Sequence, residues 1–170
     1  SIGSRKRGGS CITYSMSYIY GVLPPIHPLR PYEGILPVKP HITLVKLEKP
    51  LKVEVRYRQF VATLGPVVLL PSQSRPRYVA LRVEPHGEFA ALRTLLMASL
   101  GGVVRERHAE FKPHLTVYSI RIKRPTPNDI RPAVEEAARY AGTAFEVKAV
   151  HLINTTGGAY IPVYTLHLHA

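Results

Sequence analysis

Two histidines stand in repeated surroundings: Lys39-Pro40-His41-Ile42-Thr43-Leu44 returns as Lys112-Pro113-His114-Leu115-Thr116-Val117. An imidazole titrates near neutrality, so one ring can take a proton as a neutral base while another gives one up as an acid. Two such rings on opposite sides of a phosphorus atom permit an in-line displacement. One removes the proton from attacking water, and the other protonates the leaving ribose oxygen. Thr43 and Thr116 each follow their histidine by two positions and carry hydroxyls that can donate to non-bridging phosphate oxygens as charge grows there. This division of labour asks for no metal. In a chain with 8 histidines, chance alone supplies about half a His-x-Thr triplet. The shared Lys-Pro before each histidine and the apolar residues at both alternate positions make coincidence a poor account of the pair.

Such groups need a rigid mount. Residues i and i+2 of a strand share a face, so His41 points with Thr43 and His114 with Thr116, while Ile42, Leu44, Leu115 and Val117 point the other way into a core. Each motif therefore reads as a polar pair on the front of a strand with a buried back.

The rest of the chain supplies partners for those strands. Alternating aromatic and β-branched residues predict a strand over 12–23, and the prolines at 24, 25, 28, 31 and 37 predict an ordered loop after it. Residues 38–47 form the first motif strand. Residues 51–64 fit both periods, and their length favours a helix. Strands are expected over 66–70 and 77–83. An amphipathic helix is expected over 88–100, with Gly101-Gly102 as its stop. The second motif strand covers 114–122. A helix capped by Asn128 or Asp129 then runs to about Tyr140, and 144–154 and 160–169 make a hairpin across the segment 155–158. The sum is α+β, with mostly antiparallel strands and two similar halves.

With 170 residues, 45% of them hydrophobic, the chain can enclose one core, read as a single domain over 12–170 behind a flexible basic arm over 1–11. No apolar run approaches the roughly 18 residues of a membrane span and no signal-like segment stands at the start, so the expected location is cytoplasmic. Cys11 is the sole cysteine, which excludes an intrachain disulfide and a thiolate metal cluster. The 23 Lys and Arg against 11 Asp and Glu give a net charge of +12, and such a surplus favours a polyanionic partner, nucleic acid first. Few Met and Cys beside 16 prolines fit a heat-adapted, thermophile source. His151, His167 and His169 have no carboxylate or thiol near them in sequence, so no metal is expected there. His27, His86 and His108 read as surface or loop residues. Tyr14, Tyr18, Tyr20, Tyr160 and Tyr164 read as core and strand-pairing groups, with one of them available to stack on a base.

The paired motifs HITL at 41–44 and HLTV at 114–117 resemble the signature of the 2H phosphoesterase superfamily, in particular its 2′-5′ RNA ligase-like proteins, also called RNA 2′,3′-cyclic phosphodiesterases. The resemblance runs from about Ser17 to the end of the chain and includes the order of strand, helix, motif, helix and closing hairpin around the second motif. It implies a bilobal α+β fold of two mostly antiparallel sheets with pseudo-twofold symmetry, flanked by helices around a central cleft. It also implies action on RNA with a 2′,3′-cyclic phosphate end, tRNA fragments among such substrates; no cofactor is expected, and of the oligomeric states left open by the sequence a monomer is favoured. The product would be a 2′-phosphate, and reversal with an RNA hydroxyl in place of water would give a 2′-5′ linkage. By the same resemblance His41 protonates the leaving 3′ oxygen and His114 activates water.

Three departures stand out. A proline-rich loop replaces the helix that usually lies between the first strand and the first motif. Ser119 stands where an arginine commonly follows the second motif, and an aromatic usual after the first motif gives way to Val45-Lys46. Contacts to phosphate and base must then come from other groups, with Lys46, Arg75, Arg77 and Arg121 the candidates beside Ser119 itself. Two rival readings are a basic RNA-binding module without catalysis and a two-histidine phosphodiesterase acting on a small cyclic nucleotide.

Overall fold

The computed structural model describes the backbone of residues 3–7 and 10–14 and the whole of residues 16–170. Its elements, in chain order, are β1 (Gly3–Arg7), β2 (Ser10–Tyr14), β3 (Tyr18–Val22), β4 (Ile35–Leu47), β5 (Phe60–Leu70), β6 (Tyr78–Glu84), α1 (His86–Leu100), β7 (Val104–Arg105), β8 (His114–Ile120), α2 (Pro127–Ala138), β9 (Ala144–Val147), β10 (Ala149–Asn154) and β11 (Ile161–His167). The period-two segments around both histidines become β4 and β8, which pair antiparallel in the middle of a nine-stranded sheet. The strand order is β11, β10, β3, β4, β8, β6, β5, β9, with β7 on the far end of β4. The two halves expected as separate sheets are thus continuous across the β4–β8 ladder. The α+β class and the mostly antiparallel pairing hold.

Apolar backs of the motif strands fill the core. Ile42, Leu44, Leu115 and Val117 are buried together with Phe89, Leu92, Leu96 and Leu100 of α1 and Ile130, Ala133 and Ala137 of α2. Helix α1 packs on β4 and β6, and α2 on β5, β6 and β8. Each fully buried Leu or Phe contributes roughly 1.5–3 kcal/mol, so this layer anchors the backs of the motif strands.

Several expectations are corrected. Residues 51–59 form no helix: Val53, Val55 and Tyr57 are half-buried while the residues between them are exposed, which is the alternation of an extended chain. Tyr20 holds the start of this stretch, its hydroxyl donating to the Leu51 carbonyl at 2.8 Å and accepting from the Val53 amide at 3.1 Å, and the backbone of His169 holds the end through Tyr57 and Gln59. A helix over 51–64 would bury Val61 on the same side as Tyr57 and Leu64, whereas it is 57% exposed on β5. Strand β5 reaches back to Phe60 by absorbing Gly65-Pro66 at a register shift, where a missing amide is tolerated. Helix α2 is capped by Thr126, not Asn128 or Asp129; Asp129 completes a reciprocal capping box with it. Strands β9 and β10 part company, β9 pairing with β5 and β10 with β3 and β11. The expected strand over 12–23 is two, β2 pairing only with β1, and parts of the expected basic arm over 1–11 lie outside the described residues. No helix among the described residues is long and apolar enough to cross a membrane.

Candidate active site

The register of β4 and β8 assembles the site. His41 lies opposite Thr116 and Ile42 opposite Leu115, so the same count sets Thr43 beside His114. The four polar side chains form a rectangle on one sheet face, with the imidazoles on a diagonal, where antiparallel neighbours are about 7–8 Å apart. All four line one cleft of about 570 Å³ together with Ser17, Ile19, Lys46, Leu70, Tyr78, Arg105, Glu106, Thr155 and Tyr160.

Both rings are tethered in the same way. Nδ1 of His41 lies 2.8 Å from the Lys39 carbonyl, and Nδ1 of His114 lies 2.8 Å from the Lys112 carbonyl. A carbonyl only accepts, so each Nδ1 carries the hydrogen and each Nε2 is left with the lone pair that exchanges protons. In β4 the ladder to β8 is interrupted between Pro37 and His41, which frees the Lys39 carbonyl for this use. His41 is buried, and Tyr160 stacks on it with ring centroids 4.2 Å apart and planes 28° apart. Burial pushes its pKa below the ordinary imidazole value; the hydrogen bond to Lys39 opposes that, and the nearby His114 adds to it. Among the described residues neither threonine hydroxyl is hydrogen-bonded to a protein group, so both are available to an anion.

An irregularity repeated in both strands decides what else faces the cleft. Opposite β3, Tyr20 pairs with Val45 and Gly21 with Thr43, leaving Leu44 as an extra residue; opposite β6, Val79 pairs with Tyr118 and Ala80 with Thr116, leaving Val117 extra. Each bulge turns two successive side chains inward, Leu44 with Val45 and Val117 with Tyr118. Strict alternation would bury the next polar residue. The bulges return Lys46 and Ser119, each five positions after its histidine, to the histidine face. Arg93 of α1 supports the first bulge by donating to the Leu44 carbonyl at 2.6 Å.

The predicted binding residues separate accordingly. Lys46 lines the cleft, opposite Arg105 of β7, and its Nζ lies 2.9 Å from Glu106. That hydrogen bond and the lysine charge hold the Glu106 carboxyl below the usual carboxylate range. Lys46 is thus ion-paired with Glu106, and the Arg105 charge acts on the same carboxylate through space. Ser119, Arg77 and Arg121 line an adjoining hollow, where the Arg77 guanidinium is already committed to the carbonyls of Ile122 and Lys123. Arg75 is exposed in the loop between β5 and β6 and does not line the cleft. Tyr160, read from sequence as a strand-pairing group, stands just before β11 and covers His41 instead. Tyr78 and Arg105 also went unread, because only long-range pairing brings them to this face. Among the described residues no group of three or more His, Cys, Asp and Glu could hold a metal ion.

Comparison with known proteins bears on the family and the fold. Residues 23–159 match the family model described as the 2′-5′ RNA ligase superfamily. Among solved structures, TT0787 of Thermus thermophilus is similar with a TM-score of 0.67 at 20% identity, covering 91% of this chain and 99% of that one. E. coli LigT complexed with 3′-AMP is similar with a TM-score of 0.62 at 18% identity, covering 92% and 99%. A structure described as a phosphoesterase gives 0.60 at 18%, with the same coverage. At such identities the likeness speaks for the fold. No curated protein sequence matches significantly.

Proposed function

Since the chain belongs to the 2′-5′ RNA ligase superfamily, within the 2H phosphoesterases, we propose that it is an RNA 2′,3′-cyclic phosphodiesterase that opens the cyclic end to a 2′-phosphate without a metal. The observation that carries this reading is the diagonal pair of Nδ1-tethered imidazoles, each with its own threonine, in one cleft.

The reacting phosphate lies between the two Nε2 atoms. His114 takes a proton from water, the water oxygen bonds to phosphorus, and the bond to the 3′ oxygen breaks. His41 protonates that oxygen as it leaves. The negative charge of the phosphodiester offsets the burial that keeps His41 neutral in the empty cleft, so substrate and proton arrive together. Thr43 and Thr116 donate to the non-bridging oxygens, and Lys46 with Arg105 adds positive charge on the β7 side. The reverse course, with an RNA hydroxyl in the place of water, joins two ends through a 2′-5′ linkage.

The test is turnover of an oligonucleotide ending in a 2′,3′-cyclic phosphate, in the presence of EDTA, by the wild type and by His41→Ala and His114→Ala. Each substitution should lower kcat by about 10² to 10⁴. Absence of turnover, or its loss to the chelator, defeats the reading. RNA binding that survives both substitutions with no product formed is what a non-catalytic RNA-binding module would give.

A further inference from the structure

The face that carries the histidines continues past them. Leu36 of β4, Ser119 of β8 and Tyr78 of β6 are partners in one cross-strand row, brought onto this face by the bulge at Val117. Leu36 is 49% exposed and Tyr78 is 46% exposed, two large apolar side chains flanking a small hydroxyl. The row lies three residues beyond Thr116 along β8, roughly 7–10 Å at the rise of a strand, which is the scale of one nucleoside. It is continuous with the reaction centre, because Tyr78 and Leu70 line both the central cleft and the adjoining hollow of about 590 Å³. At the rim of that hollow Arg121 is exposed and makes no ion pair among the described residues, whereas Arg77 is occupied by backbone carbonyls. A half-exposed aromatic face, an aliphatic edge beside it, a small polar group between them and a cation at the rim together suit a base with its phosphodiester alongside.

We infer that the Leu36–Ser119–Tyr78 row is a shelf for the nucleobase attached to the reacting phosphate. The Tyr78 ring stacks on that base and Arg121 meets the next phosphodiester of the strand. The inference rests on the cyclic phosphodiesterase reading of the cleft and adds to it a base-recognition subsite. Stacking tolerates any base, so the shelf selects nucleotides over other phosphate esters without selecting a sequence.

The experiment is calorimetric titration of adenosine 2′-monophosphate, and of ribose 2-phosphate as its baseless counterpart, into wild type, Tyr78→Phe and Tyr78→Ala. The expected result is a loss of roughly 5- to 150-fold in nucleotide affinity for Tyr78→Ala, little loss for Tyr78→Phe, and equal binding of the baseless ligand by all three. Unchanged nucleotide affinity in Tyr78→Ala overturns the shelf. So does an equal loss for the baseless ligand, or a wild-type dimer that this substitution dissolves. The two readings separate cleanly: base-dependent binding without turnover keeps the shelf and removes the reaction, and turnover with Tyr78-independent binding does the opposite.

Discussion

At the scale of the residue, the tether on each Nδ1 leaves Nε2 as the nitrogen for the proposed proton transfers, and burial lowers the proton affinity of His41 before substrate arrives. A depressed pKa has a sign that can be followed. The unfolded chain binds a proton at His41 more readily than the folded one, so its contribution to stability is fully present above pH 6.5 and is lost as the pH falls below it. The same displacement acts on catalysis, since the lower of two coupled proton affinities sets the acid limb of kcat/KM. That limb should therefore have its midpoint below pH 6.5, as read from a pH profile on the cyclic-phosphate oligonucleotide. A midpoint at or above the ordinary imidazole value would show that burial does not govern the ring. Removing the stacked neighbour by Tyr160→Ala should move the limb upward, because water then reaches His41.

At the scale of the element, the bulges at Leu44 and Val117 are what a sequence reading could not supply. Period two located both motif strands and the face of each His-x-Thr pair, because Ile42, Leu44, Leu115 and Val117 declare the buried side. The same rule, continued, assigns Lys46 and Ser119 to the wrong face, since one extra residue reverses all later parity. Lys46 was legible as a charge near the motif but not as part of its wall. Residues 51–64 misled for a related reason: their alternation was genuine, but what holds them extended lies far off in sequence, the hydroxyl of Tyr20 at Leu51 and Val53, the backbone of His169 at Tyr57 and Gln59, and the β6 and β9 ladders from Phe60 on. Close approach at the first bulge also makes a prediction. A Cβ on Gly21 would stand 2.8 Å from the Ile42 carbonyl oxygen, inside any real contact and against backbone that cannot swing away. Gly21→Ala should cost about 1–3 kcal/mol in urea unfolding and lower kcat by displacing His41, the next residue toward the cleft. Full stability and activity in that variant would mean that β3 and β4 separate here at no cost.

At the scale of the whole molecule, the net charge of +12 is not spread without consequence. Lys46 and Arg105 line the cleft and Arg121 the adjoining hollow, so the RNA strand of the proposed reaction would meet positive charge on both sides of the histidines. Oligonucleotide affinity should fall linearly with the logarithm of salt concentration, and Lys46→Gln should make that slope shallower by about 0.7, the share of one phosphate on a single strand. A slope unchanged by the substitution would place Lys46 outside the path of the strand.

The ladder that unites β4 with β8 has one more implication. The two histidines proposed as proton donor and proton acceptor come from opposite halves of the polypeptide, and they become neighbours only when β4 and β8 pair over their shared core. On the reading proposed above, turnover is consequently a stopwatch for folding: a chain that has built its local helices remains inert until these two strands, far apart in sequence, have paired, and the first molecule of product marks that instant.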